Sequence, residues 1–257
     1  MAVDFAKDGG IGLITLDRPP ANSYEITFIG ELNEAVDAAA RDDDVKAVVV
    51  RSAPEKFFSA GADIKAFSAS SPDDNMRMVR SAHAVLSAMG AAPKVFIAEI
   101  AAHALGGGLE IALACDLRFG SDGSYQLGLP ESRLGLLPGN GGTQRLSRLI
   151  GASRALDLMV TGRPVGPREA LELGILDRVF PAEELEDKTR EYCEQLAAGA
   201  SLAIGNIKRA VNEGLRRSLE SGLALEIDLL DELFRSSDAN EGIAAFTEKR
   251  KPAFTGR

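Results

Sequence analysis

The chain has 257 residues, of which 45% are hydrophobic, and a formal net charge of −9 at pH 7. This length is ample for one large domain, or for one domain with a smaller appendage. The negative charge argues against nonspecific nucleic-acid binding, which depends on neutralisation of phosphates by Lys and Arg. Cys115 and Cys193 show no metal-ligand spacing, and neither a signal segment nor a membrane-spanning apolar run is apparent. We therefore expect a soluble, cytoplasmic protein.

Strands and helices alternate in the first half of the chain. Three short apolar segments, 11–17, 45–52 and 94–101, are predicted to be strands. The segment 27–44 between the first two has apolar residues at helical spacing, and a second amphipathic helix is predicted at about 73–90. This alternation predicts an α/β domain.

The pattern becomes mostly helical after about residue 143. Helices are predicted at 143–150, 153–161, 167–173 and 182–198. No strand signal follows residue 200, so we predict a core over 1–199 and a separate helical module over 200–257. The apolar faces of this module need a surface to cover them, and a second subunit would supply one.

Residues 103–115, HALGGGLEIALAC, contain an apolar run that only Glu110 interrupts. Burial of an unpaired carboxylate costs several kcal/mol or raises its pKa, and perturbed carboxyl groups often mark functional sites. A structural salt bridge is the alternative for Glu110. The glycines open a helix, where free N–H groups attract developing negative charge.

A second loop of small residues lies in FFSAGADIKAF, residues 57–67. Its backbone amides can face a ligand, and amides from two such loops would together form an oxyanion hole. The alternative is an ordinary turn in which Asp63 caps the next helix.

A third segment, LGLPESRLGLLPGNGGTQRL at 127–146, places Glu131 in a stretch rich in Gly and Pro. Glu131 is either the partner of Glu110 in an acid/base pair or an exposed carboxylate paired with Arg133. The glycines match neither a phosphate-binding loop nor a dinucleotide fingerprint, and no GxSxG elbow is present. His103 either packs in the fold or lines the mouth of the site, and we favour packing.

Three motifs, SAGADIKAF, ALGGGLEIALACDLRF and LPESRLGLLPGNGGTQRL, resemble the enoyl-CoA hydratase (crotonase) family in their order and spacing. The resemblance extends over essentially the whole chain, to EKRKP near its end. It implies an α/β fold of the crotonase (ClpP-like) type, a spiral of ββα repeats. The helical module would then build trimers that commonly pair into hexamers.

The resemblance also implies roles for individual residues. The backbone N–H groups of Ala62 and Gly107 would polarise a thioester carbonyl, and Glu110 and Glu131 would be catalytic. The residues expected to bind CoA, the last of them from a neighbouring subunit, are Ala60, Asp63, Ile64, Lys65 and Lys249.

The implied reaction is the hydration of a 2-trans-enoyl-CoA, with CoA as part of the substrate and neither a separate cofactor nor a metal. Other reactions of the family, such as isomerisation, decarboxylation, dehalogenation and thioester hydrolysis, use the same amide pair and are the main alternative. A non-catalytic or RNA-binding relative is disfavoured by the net charge and by both glutamates. Tyr24 and Ala102 depart from the residues common in the family, which leaves the acyl-chain preference open.

Overall fold

The computed structural model describes all 257 residues, with nine strands in two sheets. In chain order the strands are β1 (Val3–Asp8), β2 (Ile11–Leu16), β3 (Ala47–Ser52), β4 (Phe57–Ser59), β5 (Val95–Ile100), β6 (His103–Leu105), β7 (Leu117–Ser121), β8 (Leu127–Gly128) and β9 (Arg178–Phe180). The larger sheet has the order β1-β2-β3-β5-β7-β9, and the smaller one has the order β4-β6-β8. All neighbouring strands are parallel except β1 and β2.

Eleven α-helices connect and cover these strands. They are α1 (Ile26–Arg41), α2 (Ile64–Ala69), α3 (Pro72–Ala91), α4 (Gly107–Ala114), α5 (Gly142–Ile150), α6 (Ala152–Thr161), α7 (Pro167–Leu173), α8 (Leu185–Ala197), α9 (Ser201–Gly214), α10 (Leu219–Phe234) and α11 (Ser237–Glu248). Short 3-10 helices span Glu131–Leu134 and Ala182–Glu184.

The strand order forms a spiral. From β3 onward, successive strands belong alternately to the larger and the smaller sheet, and helices follow each pair. The units β3-β4-α2-α3, β5-β6-α4 and β7-β8-α5 are three turns of this spiral. The predicted α/β spiral of ββα repeats is therefore confirmed.

Most predicted elements lie within one or two residues of the observed ones, including β2, β3, β5, α3 and α5 to α7. Two corrections are needed in the second half of the chain. The helix predicted at 182–198 is a 3-10 helix followed by α8, and β9 lies in a region predicted to be mostly helical. Three residues are too few to show a periodicity, which is why β9 was missed.

The main core lies on one face of the larger sheet. A cluster of 42 buried residues joins this face to α1, α3 and α4, with Phe28 and Leu32 of α1 fully buried. A smaller cluster on the opposite face packs against Leu185 and Cys193 of α8. Burial of both faces explains the continuous apolar runs of the central strands, such as AVVV in β3.

The helical region after residue 200 is anchored to the core by α9. Lys208 is buried, and its Nζ donates to the carbonyls of Met89 and Lys94 at 2.7 Å each and pairs with Asp116 at 2.7 Å. Helix α10 packs against α9 and exposes several large apolar side chains. The division into 1–199 and 200–257 stays a prediction. No helix of the chain combines the length and hydrophobicity needed to cross a bilayer.

Candidate active site

The candidate site lies at the carboxyl ends of the three strands of the smaller sheet. Because β4, β6 and β8 are parallel neighbours, the loops that follow them meet at one edge. The first loop carries Ala62, the second carries Gly107, and the third carries Glu131. In open parallel sheets this edge is where ligands bind.

Two backbone N–H groups are free at this edge. The N–H of Tyr24 donates to Gly61 O at 2.9 Å, and the N–H of Asp63 donates to Tyr24 O at 2.8 Å. This pattern leaves the N–H of Ala62 between them without a partner, and the N–H of Gly107 at the start of α4 also has none. Both amides are therefore available to a ligand.

Glycine is required where the two loops touch. Gly61 has φ +86°, and a Cβ there would lie 2.9 Å from the backbone nitrogen of Gly107. A side chain at this position would be strained and would push the two amides apart. The closeness of these backbones supports the predicted pairing of the Ala62 and Gly107 amides.

Glu110 is buried in the first turn of α4, with 1% of its surface exposed. Its Oε1 accepts the N–H groups of Asn140 and Gly142 at 2.7 Å each, and Gly142 is the first residue of α5. Burial raises the pKa of Glu110, and these two hydrogen bonds counteract part of that rise. Its Oε2 has no hydrogen-bond partner within the chain, so one oxygen is held and the other is available to a ligand.

Glu131 begins the 3-10 helix after β8 and is half-buried. Its Oε1 lies beside Gly106, 3.0 Å from where a Cβ of that glycine would be. Burial, followed by the charge of Glu110, raises its pKa to about 7. Glu131 forms no ion pair with Arg133, so the alternative of an exposed, paired carboxylate is wrong.

The two carboxyl groups have different surroundings. Glu110 carries two backbone hydrogen bonds that favour its ionised form, whereas the buried Oε2 of Glu131 has no hydrogen-bond partner. The negative charge of Glu110 also raises the pKa of Glu131 and so favours the protonated form of that carboxyl group.

Four of the five residues predicted to bind CoA lie in the loop after β4 and in the first turn of α2. Asp63 caps α2, because its Oδ1 accepts the N–H groups of Lys65 and Ala66 at 3.1 and 3.3 Å, and its Oδ2 pairs with Arg18 at 3.2 Å. The capping interpretation of Asp63 is therefore confirmed. Ala60 is half-buried in the same loop, while Ile64 and Lys65 are exposed.

Lys249 is far from these loops in the chain and is the exposed C-cap residue that follows α11, with φ +56°. Its neighbour Arg250 is paired with Glu241 and Glu248. Lys65 and Lys249 form no ion pairs within the chain, so both ammonium groups are available to an anionic ligand.

His103 packs against other residues of the fold, as we predicted, and does not line the candidate site. Its ring lies 5.3 Å from that of Phe57, and its Nδ1 accepts the N–H of Gln126 at 3.1 Å. Asn140, whose backbone N–H donates to Glu110, was not among the residues predicted from the sequence. The only signal for it was its place in the GNGG turn at 139–142, before a predicted helix.

Fold and site together define the class of protein: a ββα spiral with two free amides beside two carboxyl groups is a crotonase-fold enzyme. A family model described as enoyl-CoA hydratase/isomerase matches residues 6–257. The chain is 36% identical to a probable enoyl-CoA hydratase of Bacillus subtilis, over 99% of both chains. It is 34% identical to the short-chain-enoyl-CoA hydratase of Clostridium acetobutylicum, over 97% of this chain and 95% of the relative.

The structural comparison agrees. The crystal structure of an enoyl-CoA hydratase from Geobacillus kaustophilus superposes with a TM-score of 0.98 at 45% identity, and the match covers 100% of this chain and 97% of that one. The chain belongs to the enoyl-CoA hydratase/isomerase family.

Proposed function

We propose that the protein catalyses the reversible syn hydration of a 2-trans-enoyl-CoA to a 3-hydroxyacyl-CoA, in the degradation of fatty acids or related acyl groups. The observation that carries this proposal is the pair Glu110 and Glu131, two differently tuned carboxyl groups beside two free amides. Hydration needs both a base for water and an acid for carbon, and this site offers one of each.

The two amides would act on the thioester carbonyl. Addition of water at C3 places negative charge on the thioester oxygen, giving an enolate. Donors that already point at this oxygen stabilise the charge without reorganisation, by roughly 3–4 kcal/mol per donor in well-studied oxyanion holes. Ala62 and Gly107 have the unpaired N–H groups for this role.

The two glutamates would handle the protons. Glu110, held through one oxygen, would accept a proton from water through the other as the water adds to C3. Glu131, whose pKa of about 7 keeps a large protonated fraction at neutral pH, would deliver its proton to C2. Both groups acting from the same side of the double bond would give syn addition.

The CoA moiety would contact Ala60, Asp63, Ile64 and Lys65, with Lys249 supplied by a neighbouring subunit. A locally basic site is needed because CoA carries several phosphate charges and the protein has a net charge of −9. Lys65 and Lys249 are unpaired lysines that could meet this need. We infer a homotrimer or a homohexamer, with CoA as part of the substrate and no further cofactor.

The main alternative is another reaction through a CoA-thioester enolate, such as isomerisation, decarboxylation or thioester hydrolysis. The amide pair would serve all of these reactions, whereas hydration in particular uses two acid/base carboxyl groups. Glu110 and Glu131 together therefore favour hydration.

A panel of 2-trans-enoyl-CoA substrates of increasing chain length tests the proposal, with loss of the ultraviolet absorbance of the conjugated thioester as the readout. We expect turnover by the wild-type protein and a fall in kcat of about 10²–10⁴-fold in Glu131→Gln and in Glu110→Gln, the range for one acid/base group. A 3-trans-enoyl-CoA and a saturated acyl-CoA in parallel report isomerisation and thioester hydrolysis. Absence of hydration, or unchanged kcat in Glu131→Gln, would contradict the proposal.

A further inference from the structure

Tyr24 is a buried residue whose hydroxyl lies beside the candidate site. The residue is 2% exposed, and its ring packs in the main core with its centroid 6.1 Å from that of Phe28. Its hydroxyl lies against Gly107, because a Cβ added to this glycine would be only 1.6 Å from the hydroxyl oxygen. The phenol thus touches the backbone of one of the two free amides.

The same hydroxyl is bonded to Asn140, which is 6% exposed. Nδ2 of Asn140 donates to the Tyr24 hydroxyl, and the backbone N–H of Asn140 donates to Oε1 of Glu110 at 2.7 Å. One residue therefore links the phenol to the carboxyl group that we assign to the activation of water.

The bond between the two side chains does not depend on the orientation of the amide. Oδ1 of Asn140 has no partner, and the proton of the Tyr24 hydroxyl has no other acceptor. Rotation of the carboxamide by half a turn replaces the present bond with one from the hydroxyl to Oδ1. Burial and the charges of Glu110 and Glu131 raise the pKa of Tyr24, so the hydroxyl keeps its proton at neutral pH.

We propose that Tyr24 is a positioning residue, whose hydroxyl sets the place of Glu110 relative to the Gly107 amide by bonding the Asn140 carboxamide. The inference rests on the proposed function and names a residue that acts through Glu110. An aliphatic side chain at position 24 would fill the same core space but could not hold Asn140. The 139–142 turn, and with it Glu110, would then be free to shift.

The expected effect follows from geometry. Hydration needs the water on Glu110 and the carbonyl on Gly107 at a fixed separation, and displacements of about 1 Å can reduce rates by as much as 10²-fold. Loss of the hydroxyl also leaves the buried amide of Asn140 without its partner. The hydroxyl is buried and its hydrogen bond goes to Asn140, so we expect the effect to fall on kcat.

The first experiment compares Tyr24→Phe with Tyr125→Phe. Tyr125 is the matched control, because its buried hydroxyl also bonds within the core, to the carbonyls of Ile100 and Ser121, but touches none of the site residues. We expect kcat on an enoyl-CoA to fall about 10-fold in Tyr24→Phe with KM within about 2-fold, and to stay near wild type in Tyr125→Phe. Unchanged kcat in Tyr24→Phe, a change confined to KM, or an equal loss in both variants would overturn the proposal.

The second experiment tests whether Tyr24 acts through Glu110. In a Glu110→Gln background, Tyr24→Phe should reduce kcat by no more than about 2-fold, because the group it positions is already disabled. A further 10-fold loss would assign Tyr24 a role independent of Glu110 and overturn the proposal.

A third experiment, amide hydrogen exchange, tests the role of Tyr24 independently of the proposed function, since it needs no substrate. The backbone amides of Asn140 and Gly142 should exchange faster in Tyr24→Phe than in the wild type, and not in Tyr125→Phe. If the wild-type protein hydrates no enoyl-CoA, the proposed function fails while this test still reports on the Tyr24 contact. Equal exchange in all three proteins would overturn the positioning role.

Discussion

Glu110 and Glu131 have the same functional group but different surroundings, and the difference comes from their neighbours. Glu110 lies where α5 begins, so backbone N–H groups face its Oε1. Glu131 lies beside Gly106, with few polar contacts, so desolvation dominates and its pKa rises to about 7. Acid and base roles can thus be divided between two residues of one type.

The raised pKa of Glu131 makes both activity and stability depend on pH. In the unfolded chain this carboxyl group titrates near its ordinary value of 4.5, so between about pH 4.5 and 7 the folded protein binds more protons there. Its contribution to stability therefore falls as pH rises through this window and stays low above it. If Glu131 is the proton donor, kcat/KM should also fall as pH rises through about 7.

Glu131→Gln checks the stability part of this prediction without substrate. The quantity to compare is the melting temperature of the variant minus that of the wild type. We expect this difference to be more positive at about pH 8 than at about pH 5, because the glutamine never ionises. Comparing the two proteins at each pH cancels the titration of groups that do not interact with residue 131. A difference in melting temperature that does not change with pH would contradict the raised pKa.

At the scale of elements, the glycines of α4 allow helix and strand to approach closely. A Cβ on Gly108 would be 2.1 Å from the carbonyl oxygen of Ser59, which ends β4. Only a glycine fits between these two backbones. The approach also brings the start of α4, with the free N–H of Gly107, to the loop that carries Ala62.

Gly108→Ala should therefore destabilise the protein. The new methyl group forces β4 or α4 to move, and overpacking of this kind costs about 1–3 kcal/mol. We expect the melting temperature to fall by about 2–4 °C for each kcal/mol. Gly30→Ala is the control, since no atom lies within 4 Å of its added Cβ in α1 and the change should stabilise by about 0.5–1 kcal/mol. Equal melting temperatures for the two variants would contradict the close approach.

At the scale of the whole molecule, α10 presents an apolar face that the chain does not cover. Leu223, Ile227, Leu230 and Phe234 recur at helical spacing and are 49%, 68%, 47% and 63% exposed. Apolar surfaces of this kind mark interaction sites in proteins with an otherwise charged surface. A neighbouring copy on this face would agree with the inferred trimer, in which the proposed CoA site takes its Lys249 from the neighbouring subunit.

Light scattering should therefore report three or six times the mass of one chain. The double variant Ile227→Glu/Phe234→Glu should shift the protein toward the monomer, because two charges would be buried in the contact. Glu226→Gln changes an exposed residue of the same helix and should leave the mass unchanged. A monomeric wild-type protein at micromolar concentration would contradict the assembly.

The sequence by itself determined the longer regular elements and the candidate groups. Apolar periodicity is a local property, so it identified α1, α3 and the central strands β2, β3 and β5. The lone carboxylates in apolar or Gly-rich stretches singled out Glu110, Glu131 and the two loops of small residues, and three ordered motifs identified the family that implies their roles.

Only the tertiary structure decided how these groups meet. Strands β6 and β8, of three and two residues, carry too little pattern to predict, yet their pairing with β4 aligns the three loops of the site. The hydrogen bond of Tyr24 with Asn140 joins residues 116 positions apart, and the cradle of Glu110 comes from a turn 30 positions away. Contacts of this kind depend on how helices and strands pack, because no local preference of either segment specifies its distant partner.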